Sequence, residues 1–136
     1  MGISDSEFQH AKARFPSLEV AKRAPNGQID RVTVAFKGVI GRGNTAQRVY
    51  KAVITLDGFP NSPPVGMISD PPVGQIQNIH IHGIDPALKL PLICIGGAYA
   101  QQWKGMPVKD RTLLHYLLAA TYVLLCLLYT SPSPRD

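Results

Sequence analysis

A thiol attacks carbonyl carbon as its thiolate, so a cysteine with an accessible sulfur is the first candidate for chemistry in a sequence. The sequence holds two, Cys94 and Cys126. Cys126 falls inside an apolar run and reads as a packing residue. Cys94 stands in Leu92-Ile93-Cys94-Ile95, followed at once by Gly96-Gly97. The glycines allow the chain to bend there and leave the sulfur open to a bulky partner. The flanking isoleucines equally suit a buried core cysteine, and these residues alone leave both readings open. Upstream, His80 and His82 alternate as on a strand and point the same way. With Cys94 they would make three donors for zinc, but no CxxC pattern accompanies them, and neither a metal nor a cofactor is expected. Asn78 offers a side-chain amide nearby, and it is also an ordinary turn residue.

These residues need a frame. Ser4-Asp5-Ser6-Glu7 is a helix start with acidic residues in its first turn, and Phe8, Ala11 and Phe15 follow at helical spacing. The expectation is a short amphipathic helix from about Ser6 to Phe15, stopped near Pro16. After the turn signal Pro25-Asn26-Gly27, Val32, Val34 and Phe36 alternate with polar residues as in a half-buried strand. Gly41-Arg42-Gly43-Asn44 is a second turn. Beyond it Tyr50, Ala52, Ile54 and Leu56 share the apolar face of another strand, and the antiparallel meander continues through Val65 to Ile68. From Asp70 to Gly97 no period holds, and Pro71, Pro72, Pro86 and Pro91 exclude a long helix. A helical period returns from about Lys109 through Leu125. The layout is α+β: an N-terminal helix, an antiparallel four-stranded meander, a long irregular segment carrying Cys94, and a C-terminal core helix.

At 136 residues the chain is one domain's worth, with 45% hydrophobic and 17% charged residues. The chain has twelve prolines and twelve glycines, and they concentrate between Gly58 and Gly97, where loops are better placed than regular elements to carry function. The formal charge of +5 comes from scattered residues without interleaved aromatics, which argues against nucleic acid and for a solvated basic surface. Thr112 to Tyr129 approaches the length of a membrane span, but it carries His115 and threonines and lacks a flanking basic cluster, so a buried helix is expected and no membrane. Two cysteines make no disulfide framework, no signal peptide is recognised, and a cytoplasmic protein with free thiols is expected. Residues 129–136 resemble translated sequencing-adapter read-through. The domain is therefore expected to cover residues 1–128, with 129–136 a non-native tail.

The motifs and their order resemble the ubiquitin-conjugating family over roughly residues 6 to 126. An aromatic-Pro pair followed two residues later by Pro-Pro appears as Phe59-Pro60-Asn61-Ser62-Pro63-Pro64. The family's His-Pro-Asn segment has a counterpart in Ile76-Gln77-Asn78, with Gly83 soon after. The active-site triplet appears as Ile93-Cys94-Ile95, and Trp103 and an apolar helix follow. The resemblance implies a ubiquitin-conjugating-like fold. It implies that Cys94 accepts a ubiquitin-like protein from an activating enzyme as a thioester and passes it to the lysine of a protein substrate. It gives Asn78 the role of hydrogen-bond donor to the oxyanion, and loss of one such donor typically costs about 100- to 1000-fold in rate. It makes the N-terminal helix a docking surface for the activating enzyme, with Lys12 and Arg14 as local candidates. A solvated helix face accounts for those two equally well.

The departures are specific. Ile76 and Gln77 replace the His and Pro before the asparagine. The eight residues Ile84 to Pro91 are inserted between Gly83 and the cysteine triplet, where they would shield the cysteine or displace Asn78 from it. Gly96 stands where an acidic residue is frequent. Asn61 and Lys104-Gly105-Met106 occupy the places that ring-type ligases grip, and no residue is assigned to the acidic position that assists an incoming lysine. Together they point to a divergent member from a bacterial pathway with its own activating enzyme. The alternative is a non-catalytic module of the same fold that binds a ubiquitin-like protein or a partner enzyme.

Overall fold

The N-terminal helix begins where its first turn can be capped. Ser4 Oγ accepts from the Glu7 amide at 3.1 Å, and α1 runs over Asp5–Lys12. Phe8 and Ala11, the apolar residues at helical spacing, are the ones it buries. A computed structural model describes residues 2–41, 43–78 and 80–125. After α1 come β1 (Glu19–Arg23), β2 (Ile29–Gly41), β3 (Asn44–Thr55), β4 (Val65–Asp70), β5 (Ile81–Ile84), β6 (Pro91–Ile93), α2 (Gly97–Gly105) and α3 (Leu113–Leu125). This is an α+β architecture with three helices among the described residues.

The alternating residues pair as their faces require. In the β2–β3 hairpin Val32 lies opposite Ile54, Val34 opposite Ala52 and Phe36 opposite Tyr50. Opposed residues project to the same side, so these pairs form one buried layer. The intervening pairs, among them Ala35 with Lys51 and Lys37 with Val49, face away from it. The helix α3 lies on the buried layer through Leu113, Tyr116, Leu117, Ala120 and Leu124, and α1 packs beside it. Leu118 and Tyr122 stay exposed. No helix among the described residues is long and apolar enough to cross a membrane. Cys126 and the tail 129–136 lie outside the described residues.

The sheet corrects one expectation. It has six strands in the order β1-β2-β3-β4-β6-β5, every neighbouring pair antiparallel, rather than a four-stranded meander. Every residue of β1 is exposed, so no apolar alternation marks it. The strands β5 and β6 are only four and three residues long and lie in the stretch whose prolines suggested irregular chain. Pro91 occupies the first position of β6, a place where proline is tolerated within a sheet. The nine residues of α2 also fall inside that stretch or just past it, without a side-chain cap to announce them.

Long-range polar contacts fix the helices. Glu7 Oε2 accepts from the Leu113 amide at 2.8 Å, tying α1 to the first turn of α3, while Thr112 Oγ1 accepts from the His115 amide at 3.1 Å. Trp103 of α2 is fully buried, donates from Nε1 to the Pro60 carbonyl at 2.7 Å and meets Phe59 edge-on at 5.9 Å. This tryptophan clamps α2 to the proline turn.

Burial raises the Glu7 pKa above 4.5, against smaller lowering contributions from the Leu113 amide and His10. Folding therefore favours the protonated carboxyl. The associated stability is complete below the ordinary glutamate range and is lost as pH rises through the raised folded value. Glu7→Gln keeps the acceptor without the charge. Urea unfolding should show it more stable than wild type at neutral pH, the difference closing as pH falls below 4.5.

Candidate active site: Cys94 and its groove

Cys94 follows the last residue of β6, and its surroundings come from the pairing of that strand. Ile81 lies opposite Ile93 and His82 opposite Leu92, and the Cys94 amide donates to the His80 carbonyl at 2.6 Å. The register thus sets His80 across from Cys94, with His82 diagonal to it on the same side. Ile81 and Ile93 turn the other way, into the core. The alternation of the two histidines holds, and the ladder brings both of them to the cysteine. Among the described residues, no group of three or more His, Cys, Asp or Glu side chains is arranged to hold a metal.

Residues 84–91 make this ladder possible. The Asp85 amide donates to the Leu90 carbonyl and the Lys89 amide to the Asp85 carbonyl, both at 2.8 Å. Asp85 Oδ2 accepts from the amides of Ala87 and Leu88 at 3.1 and 2.8 Å. The segment is the turn of the β5–β6 hairpin. It does not place Asn78 beside the thiol, and it carries β6 back along β5 so that Cys94 meets His80.

The Cys94 side chain is partly exposed and lines a groove of about 380 Å³. Pro63 and Pro64 of the proline turn, Leu92, His82 and Tyr99 contribute to its walls. Tyr116 lies at its base, hydrogen-bonded to the Gly66 backbone. A Cβ on Gly66 would come within 2.4 Å of the Tyr116 hydroxyl, so this strand position has no room for a side chain. On the far side the chain turns at Gly96, whose φ of +111° suits glycine, and enters α2. Burial pushes the Tyr99 phenol up to about 12, and its oxygen pairs with His115 Nδ1 at 2.9 Å. Burial raises Tyr116 as well.

Asn78 has a different role from the one implied for it. It is 2% exposed, and its side-chain nitrogen donates to the carbonyls of Val39 in β2 and Leu124 in α3, at 3.1 and 3.3 Å. Its oxygen accepts from the His80 amide at 3.0 Å. Both amide hydrogens are committed to backbone, and Asn78 does not line the groove. An oxyanion at Cys94 would find no free donor in this side chain. The asparagine instead holds His80, and His80 holds Cys94. The His80 ring hydrogen-bonds to the Cys94 backbone, and its Nε2 is buried without a partner. Burial lowers its pKa, partly offset by that bond, and the nearby His82 lowers it further.

The basic pair on α1 is divided. Lys12 Nζ donates to the carbonyls of Pro16 and Leu18 at 3.0 and 2.7 Å, closing the connection to β1. Arg14 is exposed just beyond the helix. Comparison of the chain with protein families, curated proteins and solved structures finds no match. What the site can do follows from its own residues: a partly exposed thiol, an apolar groove and two histidines on the adjoining strand.

Tyr99 and His82 were not marked as groove residues by the sequence. Tyr99 stands four residues before Trp103, one helical turn, and that spacing was the available signal for α2. Two variants check the frame by urea unfolding. Gly66→Ala should cost about 1–3 kcal/mol through overpacking, and part of this should return when Tyr116→Phe removes the hydroxyl. Asn78→Ala should cost about 2–5 kcal/mol, since the carbonyls of Val39 and Leu124 and the His80 amide lose their partner together.

Proposed function

We propose that this chain is a conjugating enzyme of a ubiquitin-like pathway, with a ubiquitin-conjugating-like fold, that carries the modifier on Cys94 and delivers it to a lysine. The observation that carries the reading is the thiol at an apolar groove framed by the Trp103-clamped proline turn. The succession of an N-terminal helix, antiparallel strands, proline turn, buried asparagine, cysteine and tryptophan-bearing helix supports it.

The chemistry is two acyl transfers. The Cys94 thiolate attacks the carbonyl of the modifier's thioester on the activating enzyme, and that enzyme's cysteine leaves as thiolate. A lysine amine then attacks the new thioester, an amide forms, and Cys94 leaves. The apolar walls limit water at the thioester, which favours the amine over hydrolysis. Asn78 serves by position, through His80. The activating enzyme docks on the α1 end of the molecule, where Arg14 supplies the free positive charge and Lys12 is committed to carbonyls.

The committed amide of Asn78 favours a second reading, in which the fold is kept as a non-catalytic module that binds the modifier or a partner enzyme. A non-reducing gel separates the two. With ATP, the modifier and the activating enzyme of its own pathway, wild type should give a shifted band that thiol reagents remove. Cys94→Ser should give none, or a thiol-resistant ester. No band beside a demonstrably charged activating enzyme would decide for the module.

A further inference from the structure

An amine that attacks a thioester must lose a proton for the amide to form, and a neutral apolar groove offers few groups to take it. The titratable side chains lining this groove are Cys94, His82, Tyr99 and Tyr116. Cys94 is the atom acylated. Tyr99 and Tyr116 are held as phenols by burial, and Tyr99 is already paired with His115. The His80 ring is closest to Cys94 in the ladder, but its Nε2 is sealed from solvent and cannot meet an incoming amine. His82 is exposed, lines the groove and lies diagonal to Cys94 across the β5–β6 pair. Side chains so related have Cα atoms about 7–8 Å apart, with Cβ atoms somewhat closer. That leaves room for an amine nitrogen between the imidazole and an acyl carbon on sulfur. The register shifts immediately after His82, at a bulge of the kind that re-aims a strand side chain beside a reactive site.

We propose that His82 is the proton acceptor for the attacking amine. The inference rests on the reading of Cys94 as a thioester carrier and supplies the group for which no acidic counterpart was found. The amine nitrogen forms its bond to the thioester carbon, and its proton passes to an imidazole nitrogen of His82. The carbon–sulfur bond then breaks, Cys94 leaves as thiolate, and His82 returns the proton to solvent or to the thiolate. No redox partner is needed, and the products are an amide and the free enzyme.

The test uses the full chain with Cys94 acylated in two ways: enzymatically by the activating enzyme, and chemically by exchange with a small glycyl thioester. Acylation is confirmed by mass, and discharge onto free lysine is timed for wild type, His82→Ala and His82→Gln. Both variants should acylate as wild type does and discharge about 100-fold more slowly, the scale of a general base. Added imidazole should restore much of the rate to His82→Ala, which a packing role would not allow. Equal discharge in wild type and variants, or a loss that imidazole leaves untouched, would overturn the proposal. The chemical route separates the two ideas. Failure of enzymatic charging with His82-dependent aminolysis intact refutes the conjugation pathway and keeps His82, while charging without His82 dependence does the reverse.

Discussion

The buried amide of Asn78 is the constraint on which the Cys94 region depends. One planar group joins β2, α3 and the approach to β5 by bonding Val39, Leu124 and His80. Each of these backbone groups sits away from water at that junction, where an unpaired polar group carries a large desolvation cost. The loop before β5 is therefore held in one place relative to both layers of the fold. Cys94 inherits that placement through the His80 carbonyl.

This arrangement separates the support of the thiol from the lining of its groove. Asn78 and His80 bond backbone, while His82 and Cys94 line the groove. Period-2 alternation sets His80 and His82 on the side of Cys94 and turns Ile81 to the opposite side. Ile81 between the two histidines anchors the strand in the core.

Legibility followed the range of the interactions. The β2–β3 hairpin was readable because its apolar faces alternate over many residues, and α3 because its period is sustained. The turn between β3 and β4 was readable from its prolines, Pro60, Pro63 and Pro64. By contrast, β1 has no buried face, β5 and β6 are too short for a period to establish itself, and α2 has no side-chain cap to announce it. The role of Asn78 depends on partners 39 and 46 positions away, and the Glu7 contact with Leu113 spans 106. No local pattern encodes such pairs. The insertion before the cysteine was visible as extra length, but only the closing hydrogen bonds of its turn reveal that it builds a ladder.

The turn at Asp85 closes upon itself, its carboxylate and backbone satisfying one another without help from the rest of the molecule. Pro86, Ala87 and Lys89 at its tip face solvent. Substitution of those residues is thus insulated from the thiol, because the register of β5 on β6 is set lower down, at Ile81 and Ile93. The outer contour of the hairpin can change while the pairing that places the sulfur stays the same.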